Sequence, residues 1–438
     1  MVSHPTKEIR CRRIGEACVR IDHPSGLPIF LCPKPGYRSS YAVFATRYGS
    51  LDTTCRDAQG KVVPVPEGIA HYLEHKLFEN EDCDAFQRYA ATGASANAYT
   101  SFDHTAYLFT CTGRLTDSLE ILLDFVQAPY FTEETVAKEQ GIIGQEIRML
   151  EDSPARRTLF NLLRALYVRH PVRVDIGGTV ESISRITPEL LYSCYHTYYD
   201  LRNMALAVAG DFSPEEVLAV ADRLLKPAPD TPSPALLRKP PVESFREPAE
   251  IARERVEEAM PVAAPLFYLG YKALFPENEA GRYPTAAEEA GSAVLLELLA
   301  GKASPLYARL MEQGLINEQF GASYFSGPGF GCYLFGGESA DPDAVCAAIR
   351  EEVARLQREG LDQQAFERSR RAVYGRLAAA YNDVENCADA VVADYFSGRE
   401  PYALIDETAA LGVEWVTKLL RENLRAERSA ISVIRPEA

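Results

Sequence analysis

Two histidines four residues apart, His71 and His75, flank a glutamate, Glu74, in the run GIAHYLEHKLFE. Ile69, Ala70, Leu73, Leu77 and Phe78 recur there at helical spacing, which predicts an amphipathic or largely buried helix. Residues i and i+4 share a helix face, so both imidazoles can converge on one ion. Glu74 projects near the same ion without being needed as a ligand. Neutral imidazole nitrogens suit zinc, which in hydrolytic sites takes three protein ligands and keeps a fourth position for water. The order H-x-x-E-H reverses the commoner zinc order H-E-x-x-H. In a chain with seven histidines, the bland alternative is a pair of core or surface histidines one turn apart.

A third ligand is offered by TEETVAKEQGIIGQEIRMLE, a second predicted helix, in which Glu139 and Glu146 stand two turns apart on nearly one face. Ile142, Ile143, Ile147 and Leu150 supply its apolar side, able to pack it on the histidine helix. Glu146 then completes a two-histidine, one-carboxylate set. Glu139 can accept the proton on a ligand histidine's second nitrogen and fix its tautomer. The alternative for Glu139 is a solvated helix face. His104, in the strand-like FDHTAYLF, His170 before Pro171, His196 in a helix, and His4 and His23 near the start read as structural or solvent-facing.

The elements that must hold these residues belong to a chain of 438 residues, too long for one ordinary domain. Apolar residues at 47% and charged residues at 25% exclude a wholly disordered or fibrous chain. A formal charge of −16 disfavours nucleic acid as a partner. No run of 18 or more apolar residues appears, so no membrane-spanning helix is expected, and the first twenty residues carry no apolar signal core. Ten cysteines lie scattered without a C-x-x-C, which reads as reduced packing thiols and a cytoplasmic location. Seven prolines mark Lys226–Pro248 as a linker between an N-terminal zinc-binding part, 1–225, and a C-terminal part, 249–438. The parts repeat one order. Tyr107-Leu108-Phe109 leads into two helices and the closing run NMALAVAGDFSPE, while Tyr333-Leu334-Phe335 leads into two helices and RSAISVIRPE. Duplicated α+β halves follow, each a sheet with helices packed on it.

In the blocks PEGIAHYLEHKLFE, GASANAYTSFDHTAYLFT, KEQGIIGQEIRML, GGTVESISRIT and YYDLRNMALAVAGDF the chain resembles the pitrilysin/insulinase family of inverted-motif zinc peptidases, over most of its length. The resemblance implies two homologous α+β halves closing as a clam shell around one zinc per chain, the fold shared with mitochondrial processing peptidases. It implies His71, His75 and Glu146 as metal ligands, Glu74 as general base and Glu139 as supporting acid. Asn97 and Ala98, in ASANAYTSF, match the family's substrate-side strand edge, where an extended peptide adds as a further strand. A plain core strand is the alternative there. Within the family, KEQGIIGQEIRMLED is most similar to zinc proteases associated with elongation factor P modification in Gram-positive bacteria. The expected activity is an endopeptidase acting on peptides or small unfolded polypeptides in an enclosed chamber.

One element departs from the pattern. Where self-sufficient members resemble S-R-L-x-x-x-L-R-E-K-x-G-L-A-Y, this chain runs from Ser304 to Asn317 one residue shorter, with Met311 at the arginine and Asn317 at the tyrosine. Tyr307 and Arg309 are near, but one helical residue turns a side chain by about 100°, so neither simply substitutes. The resemblance therefore implies a heterodimer in which a non-catalytic paralogue supplies the Arg and Tyr. A non-catalytic scaffold or peptide-binding subunit is the rival reading, and leader-peptide processing a third.

Overall fold

The computed structural model describes residues 5–81, 84–226, 246–275 and 281–437 and divides them into two compact units. The first comprises Met1–Ile147, Asp175–Lys239 and Ala378–Tyr402. Its sheet is built from β1 (Thr6–Cys11), β2 (Glu16–Asp22), β3 (Pro28–Pro33), β4 (Ser40–Thr46), β7 (Ser95–Thr100), β8 (Thr105–Cys111) and β9 (Met204–Gly210), in the order β1-β2-β3-β9-β4-β8-β7. β5 (Thr54–Arg56) and β6 (Val62–Pro64) form a separate ribbon. Neighbours are antiparallel except β3 and β9. The central strands SYAVFAT and MALAVAG are buried at every residue, as continuous apolar runs must be when both faces are covered. One face carries α1 (Ile69–Leu77), α2 (Ala85–Thr92), α3 (Leu115–Phe125) and the helix Pro188–Tyr198 in a shared core with Ile29, Phe44 and Leu206. Strand alternation turns Phe30 and Tyr41 to the opposite face. There the helix Val384–Phe396 meets them: Tyr395 packs on Phe30 at 5.4 Å between ring centres, and Asp389 accepts the Tyr41 hydroxyl at 2.9 Å.

The second unit comprises Arg148–Val174, Pro240–Leu377 and Ala403–Ala438. Its strands are β10 (Arg255–Met260), β11 (Leu266–Lys272), β12 (Gly321–Gly327), β13 (Phe330–Glu338) and β14 (Ser429–Pro436), in the order β10-β14-β11-β13-β12. β10 and β14 are parallel and every other pair is antiparallel. This is the pattern of β3-β9-β4-β8-β7, strand for strand, which bears out a duplicated α+β fold. In the second unit α5 (Pro154–Leu166), which follows α4 (Glu133–Glu151) in the chain, packs on β10, β11 and β14; in the first unit Val384–Phe396 packs likewise on β3, β4 and β9. Each unit thus completes its sheet with a helix from the other half of the sequence.

Residues 227–245 of the proline-rich stretch lie outside the described residues, as do His4 and Cys83. The nine described cysteines are all free and buried, as packing thiols are. No described helix is long and apolar enough to cross a membrane.

Candidate active site

Helix α1 begins at Gly68, whose φ of 88° is left-handed, and a Cβ there would stand 2.4 Å from the carbonyl oxygen of Gly177. Gly178, also left-handed at φ 70°, would in turn meet Glu67. The Ser182 hydroxyl donates to the Glu67 carbonyl at 2.8 Å and ties this loop to the start of α1. The two glycines let the loop touch the helix start; neither stands out by helical spacing, although Gly178 belongs to the double glycine of GGTVES and Gly68 directly precedes the histidine helix. Gly68→Ala is expected to cost at least about 1–2 kcal/mol and to weaken metal binding by displacing the first turn of α1, read by melting temperature and metal stoichiometry.

From that start α1 buries Ile69, Ala70, Tyr72, Leu73 and Leu77 and leaves His71 and His75 half-buried on one side. The Tyr72 hydroxyl donates to the Val136 carbonyl at 2.5 Å, fixing α1 against α4. Helix α4 packs through Val136, Ile143 and Ile147. Ile142, assigned by the sequence pattern to that packing side, is instead 50% exposed, because a step of about 100° from Ile143 carries it off the stripe; Leu150 is only half-buried.

The packing brings Glu146 to both histidines. Its carboxylate oxygens lie 3.7 Å from His71 Nε2 and 3.4 Å from His75 Nε2, and the imidazole centres are 4.7 Å apart. One donor atom from each residue falls within 4.8 Å of the others, the one such group of three among the described residues. Two donors about 2.0–2.1 Å from a tetrahedral ion stand roughly 3.3–3.4 Å apart, so spacing and donor type both fit zinc. Glu139 Oε1 takes the hydrogen bond of His75 Nδ1 at 3.0 Å, which leaves Nε2 turned to Glu146. Burial pushes the His75 imidazole down, but the bonds to Glu139 and Glu146 outweigh it and raise it to about 10. Burial likewise pushes Glu139 up, and the His75 bond prevails and holds it below the usual carboxylate range. These carboxylates are arranged to hold a cation.

Glu74 is 7% exposed and accepts the Thr100 hydroxyl at 2.6 Å. Burial raises its carboxyl, and the Thr100 bond partly offsets that. Thr100 ends β7, which pairs with β8 and is the edge strand of this sheet among the described residues. Asn97 and Ala98, on the same strand, line an open cleft of about 610 Å³ together with Glu74, His75, Glu139 and Ile142. The seven residues singled out in the sequence therefore meet in one place, and Thr100 joins them as a neighbour that only the fold reveals.

In the second unit, Met311 is 37% exposed on the helix Pro305–Glu312, Arg309 is exposed, and Tyr307 is buried in the core beside Phe320. Asn317 donates to Glu338 at 2.9 Å. Tyr307 is thus a packing residue.

Comparison with known proteins places the chain in a family. The profile of Insulinase (Peptidase family M16) matches residues 64–180, which contain α1 and α4, and that of the Peptidase M16 inactive domain matches 185–373. The chain is 37% identical to the uncharacterised zinc protease YmfH of Bacillus subtilis over 99% of its own length and all of that protein. It is 30% identical to the zinc protease ML0855 of Mycobacterium leprae over about half of each chain: 49% of this one and 47% of that one. Among solved structures, an M16-like peptidase from Alicyclobacillus acidocaldarius superposes with a TM-score of 0.86 at 35% identity, covering 100% of this chain and 99% of that one. A protease from Helicobacter pylori, at 18% identity, shares the fold with a TM-score of 0.79 over 99% and 100% of the two chains. A chain matched end to end by a zinc protease, with both family profiles in order along it, belongs to the insulinase family of peptidases, family M16.

Proposed function

We propose that this chain is a zinc endopeptidase that hydrolyses peptides or small unfolded polypeptides in an enclosed chamber in the cytoplasm. The observation that carries the reading is the convergence of His71, His75 and Glu146 beside a buried carboxylate, Glu74, at the foot of an edge strand. His71, His75 and Glu146 would hold the metal, which when bound supplies Lewis acidity that makes water nucleophilic near neutral pH and polarises the scissile carbonyl. Glu74 takes a proton from the attacking water and hands it to the leaving amine. The Thr100 hydroxyl fixes one oxygen of that carboxylate and leaves the other to move the proton. Glu139 holds the His75 ring in the tautomer that presents Nε2. The outer edge of β7 at Asn97 and Ala98 takes the substrate as an added strand, whose backbone bonds give affinity with little sequence selectivity.

Met311 and Asn317 leave the carbonyl side of the reaction without the Arg and Tyr that self-sufficient relatives carry. A homologous non-catalytic subunit is proposed to supply them. The rival, a non-catalytic peptide-binding scaffold, draws on the same two positions but gives the assembled His71, Glu74, His75 and Glu146 no task. The test is turnover of unfolded peptides by the zinc-loaded chain, alone and co-purified with its partner. Turnover is expected to rise about 10²–10³-fold with the partner, on the scale of one lost oxyanion contact, and Glu146→Ala or His71→Ala is expected to lose the metal. Full turnover by the chain alone removes the partner; cleavage undiminished in both variants removes the enzyme.

A further inference from the structure

The cleft beside Glu74 and His75 has a floor that the core does not need. Phe86, in the first turn of α2, stacks one ring face on the buried Phe78, with centres 4.4 Å apart and planes 9° from parallel, yet remains 48% exposed. Ile142 stands 50% exposed in the same cleft. A large aromatic ring with one open face and an aliphatic wall, contiguous with a strand edge and a catalytic carboxylate, is a seat for one substrate side chain. The rim sets its charge. Glu79 is shared between Lys76 and Lys138, at 2.5 and 3.9 Å. Glu81 also lines the cleft from an exposed position, and Asp84, held by its bond from the Phe86 amide at 2.7 Å, adds a second rim carboxylate.

We propose that this cleft is a specificity subsite for a long basic side chain of the substrate, arginine or lysine, whose stem lies on Phe86 and Ile142 and whose cationic end reaches Glu81 and Asp84. The inference rests on the peptidase reading of the centre and adds the substrate class. An apolar side chain would cover the floor but leave its tip against carboxylates. An acidic one would be repelled. A basic chain satisfies both parts, since its methylenes bury while its charge stays at the rim. The open face of Phe86 also suits a guanidinium, which stacks on aromatic rings. Phe86 and Glu81 are therefore specificity-determining residues.

Binding tests this without turnover. The full-length Glu74→Gln chain, zinc-loaded, is titrated with short labelled alanine–serine peptides carrying one central arginine, lysine, norleucine or glutamate; each can slide along the strand edge until its single large side chain finds the cleft. Arginine and lysine are expected to bind about five- to tenfold tighter than norleucine, and glutamate weakest. Glu81→Lys, an exposed change, is expected to bring the arginine-to-norleucine ratio to one or below, and Phe86→Ala to lower affinity for both. Norleucine binding as tightly as arginine, a ratio that survives Glu81→Lys, or no peptide bound at all overturns the proposal. Hydrolysis is not read, so failure here leaves the peptidase reading standing, while an uncleaving wild-type chain that still prefers arginine separates the two the other way.

Discussion

Glu74→Gln is expected to lower kcat for peptide hydrolysis by about 10²–10⁴-fold while zinc per chain stays as in the wild type. The magnitude is that of a lost general acid–base group. The retained metal follows from geometry: the donor atoms that converge belong to His71, His75 and Glu146, and the Glu74 carboxylate is instead spent on the Thr100 hydroxyl. Glutamine keeps the size of the side chain and an oxygen to accept the Thr100 bond, so the packing of α1 around a 7%-exposed residue is preserved. What it loses is the ability to take up and release a proton. Metal analysis beside steady-state kinetics reads both halves. A variant that keeps its zinc and cleaves at the wild-type rate takes Glu74 out of the chemistry, whereas one that loses zinc as Glu146→Ala does would make Glu74 a ligand.

The chemistry was legible in the sequence because it follows helical periodicity. His71, Glu74 and His75 are one turn of one helix, and Glu139 and Glu146 are two turns apart on another, so spacing alone gives each set a shared face. Spacing cannot say which neighbour a polar group finds across the fold. Thr100, at the far end of a strand 26 residues on, gave no sign of its bond to Glu74. Ile142 misled for a related reason: adjacent isoleucines on a helix cannot both face the core, and the sequence does not say which one turns to the cleft. The repeat of strand, helix, helix and closing strand revealed two related halves, but the exchange of α5 and Val384–Phe396 between the compact units is a matter of long-range packing, and nothing local records it. The end of the proline-rich stretch is a further case. Read only as the close of a linker, that stretch gives no sign that the Glu247 side chain is buried.

That burial carries the second large expectation, a stability loss of about 3–5 kcal/mol in Glu247→Ala, with a fall in the melting temperature of the second unit on the order of 10 °C. The Glu247 carboxylate receives the successive backbone amides of Val168, Arg169 and His170, at 2.6–2.8 Å, and Lys272 Nζ at 2.7 Å. The two side chains are 6% and 1% exposed, so removing the carboxylate strands a buried ammonium that, among the described residues, keeps the Glu250 carbonyl, at 2.8 Å, and the ring of Tyr167. Because most of the loss comes from the stranded charge, Glu247→Ala with Lys272→Met is expected to be less destabilised than the sum of the single variants, though the three amides still want an acceptor. The pH dependence has a definite sign. Burial alone would raise the Glu247 carboxyl, but the Lys272 bond and the amides outweigh it and hold it below its ordinary value. A carboxyl whose folded pKa is depressed contributes its stability above the unfolded value near 4.3, and that contribution drains away as the pH falls through the lower folded value. Wild type should therefore lose melting temperature more steeply than Glu247→Ala on acidification below about pH 4.3, and the two curves should converge. Parallel curves across that range would mean that the carboxylate is not held by these donors in solution.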